Sequence, residues 1–519
     1  MLLLELILLL MICAVGLGWI ARKLEFPYPI ALVVGGALLG LVPNLPQFPF
    51  DPQFILILVL PPILYQAALL TSWSDFKSYV RPISLLAIGL VIATTLAVGA
   101  ALKLLVPEVP WAAAFVLGAI VSPPDAVAAT AILSRLNIPR RMVTVLEGES
   151  LVNDASGLVV YKIAVVAVLT GAFSLAEASA QFALVSAGGV VIGIALAHLF
   201  IKIHKRLGDP FIEVLTTLVL PYVVYIAAEK LHVSGVLAVV AAGMVRGRYA
   251  PEIVSAEMRI IARSVWKLLT FILNSLIFML IGITMSDVIE KLSRYSIGEL
   301  FTLGSVISLV AVGVRFVWVY AVAAVPGGWA QSNRPEEPKP NPRELFIVSW
   351  CGMRGIVSIA AALSLPVLLP DGSAFPQREL IIFLTFFVIA VTLVVQGLSL
   401  PPLIRGLNVG SNWSLRGEQQ RVRSAMSRAA LSVLDERMRS EGIPASTVET
   451  LRSELLDRIN IAAPDGAEHT PRSDLIARLR HEAIQAERRE LIRLWRANEI
   501  SDEVMHHLEE LLDYQEAHL

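Results

Sequence analysis

The sequence predicts an all-α polytopic membrane protein with thirteen transmembrane helices, an inverted repeat, two crossed discontinuous helices and an α-helical cytoplasmic tail. Three observations lead to this fold class. The 519 residues are 56% hydrophobic and only 16% charged, with a mean hydropathy of +0.70, whereas soluble domains carry nearer a quarter charged residues. The charges are concentrated towards the C-terminal end. Apolar runs long enough to cross a bilayer recur along the rest of the chain.

The charge distribution divides the sequence into two parts. Residues 411–519 contain 15 Arg and 20 Asp or Glu in 109 positions, while the first 410 residues hold the other 50 charges. We therefore predict a transmembrane domain over residues 1–410 and a soluble tail over residues 411–519. Apolar residues at helical spacing predict tail helices at 425–439, 448–461, 475–495 and 502–512.

Thirteen apolar runs are candidates for membrane crossing, because a helix needs about 20 mostly apolar residues to span the hydrocarbon core. Two of them, the second and the ninth, are short. In chain order the runs are Leu2–Ile20, Pro29–Leu41, Phe54–Leu70, Ile83–Leu105, Trp111–Leu133, Val143–Leu169, Phe182–Ile203, Phe211–Ala228, Ser234–Val245, Trp266–Met285, Leu300–Val325, Leu345–Leu369 and Leu380–Leu400.

Positive charges alternate between the loops. Most Lys and Arg follow odd-numbered runs, and the loops after even-numbered runs carry only Lys230, Lys291, Arg294 and Arg378. Cytoplasmic loops of membrane proteins are enriched in Lys and Arg, so the N-terminus is predicted outside and the tail in the cytoplasm of a multi-pass bacterial cell-membrane protein. The first run contains Glu5 and has no basic residue before it, which indicates a membrane span and not a cleaved signal.

The composition excludes several classes of protein. With 42 basic and 43 acidic residues, the chain lacks the basic surplus of a nucleic-acid binder. Only two cysteines are present, Cys13 and Cys351, so neither a disulfide framework nor a thiolate metal cage is expected. The tail has no nucleophile motif, His/Cys cluster or Gly-rich loop. We expect no enzymatic activity and no cofactor.

The fifth run contains the segment Ser122-Pro-Pro-Asp125. Two consecutive prolines remove two amide donors and clash with the preceding turn, so the helix must break there. The break frees carbonyl groups at the end of one half-helix, and Asp125 can face the amides at the start of the next. Carbonyls with a carboxylate suit a hard monovalent cation. A structural kink that binds nothing is the alternative interpretation.

The sixth run begins with a cluster of polar residues. Ser150 and Asp154 are four residues apart and share one helix face, and Glu149 and Asn153 share the adjacent face. A hydroxyl, an amide and a carboxylate are thus predicted beside the break in the fifth run. A static ion pair of Asp154 with Lys162 is the alternative, but eight residues separate the two by about 12 Å along a helix, which is too far for direct pairing.

The twelfth run contains Arg354 in the segment Gly352-Met-Arg-Gly355. An arginine at this depth needs a buried partner, and Glu149 is the best candidate by charge, so we predict a structural ion pair. Glu213 and Arg315 receive no role. The broken fifth run and the glycine-interrupted twelfth run are seven runs apart and must cross in opposite directions, which is typical of an inverted repeat with an ion site at its midplane.

The motifs of residues 1–410 resemble those of the cation:proton antiporter-1 family, which contains the NhaP-type bacterial antiporters and the eukaryotic sodium/proton exchangers. The tail is similar to those of the bacterial branch. The segments that carry the resemblance are Leu60-Pro-Pro-Ile-Leu-Tyr-Gln66, Ser122-Pro-Pro-Asp-Ala-Val-Ala128, Gly148-Glu-Ser-Leu-Val-Asn-Asp154, Ala228-Glu-Lys-Leu-His-Val-Ser-Gly235, Gly352-Met-Arg-Gly355 and Val395-Gln-Gly-Leu-Ser-Leu-Pro401.

The resemblance implies an ion site. Asp154 would carry the cation and the proton in turn, with Asn153 beside it. Ser150 would supply a hydroxyl ligand and Pro124 a carbonyl ligand, so that Asp154, Ser150 and Pro124 would hold Na⁺ or K⁺. Asp125 would hold the crossing of the broken helices. Where many members have Thr before and Pro after this Asp, the chain has Pro124 and Ala126, and it has the neutral Gln66 where many have an acid.

The resemblance also implies the fold and the activity. Glu149 and Arg354 would form the structural ion pair of the family, and a homodimer would move a six-helix core against a dimerisation domain. The activity would be exchange of Na⁺, or of K⁺ or Li⁺, for protons. Because Asn153 stands where a second Asp would add a charge, one carboxylate handles one ion, which predicts electroneutral exchange. A gated monovalent cation channel, with the same groups as its filter, is the alternative.

Overall fold

The computed structural model describes residues 2–23, 28–42, 52–125, 129, 133, 138–254, 256–292, 294–325 and 341–409, with scattered positions between 428 and 514. The chain divides into two compact units, Met1–Ser411 and Asn412–Leu519. Within the described residues, the first unit is helical apart from its connecting segments and one isolated bridge between Leu368 and Ala374. The predicted all-α class is confirmed.

The described part of the first unit contains seventeen α-helices and two π-helical turns. The α-helices are α1 (Leu2–Lys23), α2 (Tyr28–Gly40), α3 (Pro52–Leu70), α4 (Trp73–Ser78), α5 (Val80–Ser84), α6 (Val91–Leu105), α7 (Trp111–Val121), α8 (Arg140–Thr170), α9 (Leu175–His204), α10 (Pro210–Lys230), α11 (Gly235–Ile253), α12 (Ala256–Lys291), α13 (Ile297–Ala324), α14 (Pro342–Trp350), α15 (Ile356–Leu363), α16 (Arg378–Val391) and α17 (Gly397–Leu407). The π-helical turns are Leu85–Leu90 and Thr392–Gln396.

Within the described residues, each predicted apolar run overlaps one helix or consecutive helical segments, and most of the fifth run after Asp125 lies outside those residues. Among the described residues, seven helical segments are long and apolar enough to span a membrane: Val80–Leu105, Arg141–Thr170, Leu175–His204, Pro210–Lys230, Met258–Lys291, Ile297–Ala324 and Arg378–Leu407. Tyr28–Gly40, Ile57–Leu70 and Trp111–Val121 are shorter apolar helices. The polytopic helical architecture is thus confirmed, while the number of thirteen crossings stays a prediction.

The helices of the first unit pack in two groups. The first group consists of α1–α3 and α9–α12, and α2 lies closely along α12. A Cβ atom at Gly36 would stand 2.3 Å from the carbonyl oxygen of Met279, and one at Gly282 would stand 2.2 Å from that of Val33. Only glycine permits this approach of two backbones, which is how membrane helices commonly associate.

The second group consists of α4–α8 and α13–α17 and contains both predicted breaks. In it α7 packs between α6 and α8, and α13 packs against α6 and α16. The fifth run loses its helix after Val121, and the twelfth is interrupted between Trp350 and Ile356. The two discontinuous helices are therefore confirmed.

The π-helical turn between α5 and α6 ties three helices together. A π-turn widens the backbone ladder and releases carbonyl groups for other donors. The hydroxyl of Ser156 on α8 donates to the carbonyl of Ala87, and the indole nitrogen of Trp318 on α13 donates to the carbonyl of Leu85 at 3.0 Å. The turn thus fixes α8, which carries the predicted ion site, against its neighbours.

Large apolar side chains are exposed along the long helices. On α9, Leu184 is 69% exposed, Val191 63% and Leu199 51%. Water-soluble monomers seldom expose apolar surface of this extent, whereas a helix in contact with lipid does so along its length. The surface of the first unit is thus suited to a bilayer.

In the second unit, helical residues are described at 428–432, 434–436 and 438–440, which overlap the first predicted tail helix at 425–439. Apart from isolated positions, the predicted tail helices at 448–461, 475–495 and 502–512 lie outside the described residues.

Candidate ion-binding site

The first discontinuous helix breaks at the paired prolines. α7 ends at Val121, and the hydroxyl of Ser122 donates to the carbonyl of Ala119 at 2.9 Å, which closes the last turn. Pro123 and Pro124, both buried, follow without regular structure. Since neither proline has an N–H group, the helical ladder cannot continue through them.

The two breaks meet each other. The amide nitrogen of Asp125 donates to the carbonyl of Met353 at 2.6 Å, so the backbone of the first break is bonded to the backbone of the second. A Cβ atom at Gly355 would stand 1.7 Å from Oδ2 of Asp125. Any other side chain at position 355 would therefore force the two segments apart, which explains the glycine that interrupts the twelfth run.

The polar cluster of α8 lies against the first break. Nδ2 of Asn153 donates to the carbonyl oxygen of Pro124 at 3.3 Å. A Cβ atom at Gly157 would stand 3.1 Å from Cγ of Pro123, so helix and break pack closely. Asn153 is fully buried and Asp154 is 9% exposed. The carboxylate of Asp154 thus lies deep in the second helix group, one residue from the side chain that binds the break.

Two oxygen atoms at the contact between α8 and the first break retain acceptor capacity. Oδ1 of Asn153 is buried and has no hydrogen-bond partner among the described residues. The carbonyl of Pro124 accepts one bond and retains a second lone pair. No hydrogen bond or salt bridge joins Asp154 to another described residue. Ser150, half-buried, lies one helical turn before it. Hard cations prefer such a set of amide, carbonyl and carboxylate oxygens.

Lys162 does not neutralise Asp154. Its Nζ lies 2.8 Å and 2.9 Å from the two carboxylate oxygens of Glu229 on α10. The static ion pair that would have removed Asp154 from the ion site is therefore absent between these residues, as the spacing along α8 predicts.

The predicted ion pair between Glu149 and Arg354 is wrong. Glu149 instead pairs with Arg315 of α13, whose Nη2 lies 2.8 Å from Oε2 and whose Nη1 also donates to the carboxylate. Arg315 further donates to the carbonyl of Val348 through Nε at 3.2 Å and Nη2 at 3.1 Å. Glu149, Arg315 and Arg354 are each 1% exposed, so the pair is fully buried.

Arg354 is bonded by backbone carbonyls. Nε donates to Val121 at 3.0 Å, Nη2 donates to Ala311 at 3.3 Å, and Nη1 donates to Gly352. Its own amide donates to the hydroxyl of Thr392 at 3.2 Å. Val121 is the last residue of α7, so Arg354 satisfies a carbonyl that the first break leaves without an intrahelical donor.

The exchange of partners reflects which acceptors the packing brings to each arginine. Arg354 lies inside the second break and reaches the backbone carbonyls of Gly352, Val121 and Ala311. Arg315 lies on α13 and reaches the carboxylate of Glu149 on α8 and the carbonyl of Val348 at the end of α14. Charge alone could not distinguish the two arginines, although the position of Arg315 as a lone charge in an apolar run indicated a buried partner.

Glu213, which received no role from the sequence, belongs to a buried cluster in the first helix group. Its Oε2 lies 3.4 Å from Nε2 of His204, and Nη2 of Arg246 lies 3.2 Å from Nδ1 of the same histidine. The three residues come from α10, α9 and α11, and none contacts the crossing of the breaks among the described hydrogen bonds and salt bridges.

Comparison with known proteins gives matches over most of the chain. Residues 7–406 match the family model described as sodium/hydrogen exchanger, transmembrane. The chain is 36% identical over 80% of its length to the sodium, potassium, lithium and rubidium/H⁺ antiporter of Bacillus pumilus, of which it covers 63%. It is 32% identical to an uncharacterized Na⁺/H⁺ exchanger of Escherichia coli, with 96% of each chain covered.

The fold is also similar to a solved structure. The sodium proton antiporter of Methanocaldococcus jannaschii at pH 8 superposes with a TM-score of 0.63, covering 79% of this chain and 100% of that chain at 20% identity. At this identity the similarity concerns the fold alone.

Proposed function

The chain belongs to the sodium/hydrogen exchanger family, and from this premise we propose that it exchanges Na⁺ for protons across the cell membrane by secondary active antiport. K⁺ and Li⁺ are the other candidate cations, because the Bacillus pumilus relative is named for sodium, potassium, lithium and rubidium. The chain acts as a transporter and not as an enzyme, and no cofactor takes part.

The position of Asp154 carries this proposal. Asp154 is buried on α8 one residue after Asn153, whose Nδ2 donates to the carbonyl of Pro124 at the break and whose Oδ1 has no hydrogen-bond partner among the described residues. A proton and a metal cation occupy the same carboxylate oxygens, so the side chain binds one or the other. Ser150 and Pro124 complete the oxygen ligands, and the backbone of Asp125 keeps the two broken helices joined.

The charges of the crossing favour an electroneutral cycle. Three acids, Glu149, Asp125 and Asp154, are balanced by two bases, Arg315 and Arg354. With Asp154 ionised the sum is one negative charge, and a single proton or a single monovalent cation brings it to zero. Moving a neutral site within the bilayer costs less free energy than moving a charged one. The protonated and the cation-bound forms therefore move, and the form with an empty, ionised Asp154 does not.

The decisive experiment replaces Asp154 in the full chain. We expect Asp154→Asn to abolish sodium-driven proton flux in liposomes while the protein still folds, because the amide binds neither ion. The matched control is Asp371→Asn, an exposed loop carboxylate, which should retain the full rate. Full flux from the Asp154 variant would refute the role of this residue.

The stoichiometry has its own test. At equal sodium on both sides, an imposed membrane potential should create no pH difference across liposomes that contain the protein, since a voltage does work only on net charge. A potential-driven pH difference would contradict electroneutral exchange.

The gated channel that the sequence left open is not favoured, because the relatives are named antiporters and the fold is that of a sodium proton antiporter. Coupling distinguishes the two: an antiporter should move no sodium down its gradient unless protons move the other way, whereas a channel would.

The topology and assembly complete the proposal. The N-terminus lies outside and residues 411–519 lie in the cytoplasm, where they regulate transport. The chain forms a homodimer in which the second helix group moves against the first. Removal of the tail from Ser411 should leave transport intact and alter its regulation. Protease should reach the tail only in inside-out vesicles.

A further inference from the structure

A basic cavity lies outside the ion site, on the part of the surface formed by α4 and α11. It has a volume of about 470 Å³ and is lined by Trp73, Ser74, Lys77, Ser78 and Arg248. We call it the α4–α11 pocket. It has no part in the ion-binding arrangement described above.

The lining selects for an anion. Lys77 and Arg248 supply two positive charges. Among the described residues, no acidic side chain lines the pocket and neither cation forms a salt bridge. The hydroxyl of Ser78 is donated to the carbonyl of Ser74 at 2.9 Å, while the hydroxyl of Ser74 is exposed. Two cations with a hydroxyl donor match the oxygens of a phosphate group.

The surroundings of the pocket are apolar, which distinguishes a lipid from a free phosphate. Leu70 is 76% exposed and Val80 is 45% exposed, one before and one after α4. Trp73 is 40% exposed, and its ring stacks on Phe76 with centroids 6.2 Å apart. Aromatic rings with an apolar flank and basic residues are typical of the level of lipid headgroups.

The predicted cytoplasmic location of the pocket is consistent with an anionic lipid as its occupant. Lys77 and Arg248 both follow odd-numbered apolar runs in the sequence and hence lie on the predicted cytoplasmic side. Anionic lipids give that leaflet its negative surface potential, and basic pockets between transmembrane helices there bind phosphate-bearing headgroups.

We propose that the α4–α11 pocket binds the phosphate of an anionic phospholipid from the cytoplasmic leaflet. The lipid joins the two helix groups. Arg248 belongs to α11 of the first group, and α4 packs on the ion-carrying helix α8, where a Cβ atom at Gly148 would stand 3.3 Å from Phe76.

The test measures lipid retention by the purified full chain in neutral detergent, using native mass spectrometry. Phosphatidylglycerol is compared with phosphatidylcholine of the same acyl chains, and inorganic phosphate is added as competitor. The variants are Lys77→Gln, Arg248→Gln and the double variant. The matched control is the double variant Lys202→Gln/Lys205→Gln, which removes two exposed charges from the same predicted side but outside the pocket.

We expect phosphatidylglycerol affinity to fall about fivefold for each pocket charge removed and about 25-fold in the double variant, with less than a twofold change in the control. Equal retention by the double variant and the unchanged protein would overturn the proposal. An equal loss of phosphatidylglycerol affinity in the control variant would show general attraction to a basic surface and would overturn specific binding in the pocket. Displacement of the lipid by inorganic phosphate at equal concentration would show that the pocket binds a free anion and would overturn the assignment of a phospholipid.

Discussion

Glu149 accepts hydrogen bonds from both terminal nitrogens of Arg315, and the pair is 1% exposed at each member. Two buried charges stabilise each other, and removal of either one leaves the other uncompensated and destabilises the fold. We therefore expect Glu149→Gln to cost about 3–5 kcal/mol of folding free energy, because it leaves a buried guanidinium without a counter-charge. Thermal unfolding of the purified protein measures the loss.

The matching experiment is a double-mutant cycle. Replacing Arg315 by Met in the Glu149→Gln background should restore part of the lost stability, since no lone charge remains. The exposed pair of Lys162 and Glu229, with side chains 55% and 33% accessible, should show at most about 1 kcal/mol of coupling in the same assay. A larger coupling of Glu149 to Arg354 than to Arg315 would contradict the pairing described above.

Gly355 should tolerate no side chain. Gly355→Ala would bring a Cβ atom to 1.7 Å from Oδ2 and 2.5 Å from Cβ of Asp125, so the crossing must open. We expect loss of transport and a lower unfolding temperature. Gly313→Ala, where no atom lies within 4 Å of the added Cβ, is the control and should be neutral or stabilising by up to about 1 kcal/mol, the difference in helix propensity. Normal flux from Gly355→Ala would count against the crossing geometry.

Asn153 should tune cation binding. Asn153→Ala removes the 3.3 Å hydrogen bond to the carbonyl of Pro124 and also the free Oδ1. A hydrogen bond of this kind contributes about 0.5–1.5 kcal/mol, so we expect the KM for Na⁺ to rise about two- to twelvefold. The maximal rate should change less, because Asp154 remains. An unchanged KM, measured over a full sodium titration, would remove Asn153 from the site.

Ser156 should be needed for the packing of α8. Ser156→Ala leaves the buried carbonyl of Ala87, in the π-helical turn, without its donor, at a cost of about 1–3 kcal/mol. The control is Ser179→Ala on α9, where an exposed hydroxyl donates at 2.7 Å to Leu175 of its own helix and the cost should stay below about 0.5 kcal/mol. Equal unfolding temperatures of the two variants would show that the π-turn contact carries no stability.

The sequence predicted the parts of the fold that depend on local chemistry. Apolar runs fixed the helices, and paired prolines fixed the break after Val121, because a missing N–H group has the same effect in any surroundings. The position of the polar cluster beside that break was predicted from helical spacing, and the hydrogen bond from Asn153 to Pro124 agrees with it. The prediction of thirteen crossings and the ligand set of the cation still await experiment.

Pairing between distant segments was the part that sequence could not predict. The choice of Arg315 over Arg354 for Glu149 depends on which acceptors lie within reach of each arginine, and that is known only once the helices are in contact. The donor role of Ser156 likewise depends on a π-turn at Ala87, for which the sequence of α5 and α6 gives no local signal.

The carbonyls around Arg354 have a consequence for a protein that works where acidity varies. Peptide oxygens take up no proton over the physiological range, so the grip on this guanidinium, through Val121 and Ala311, stays the same in acidic and alkaline cells. A carboxylate in their place would weaken as the cytoplasm acidified. The contact that Arg354 makes between the two broken helices is therefore independent of pH over this range.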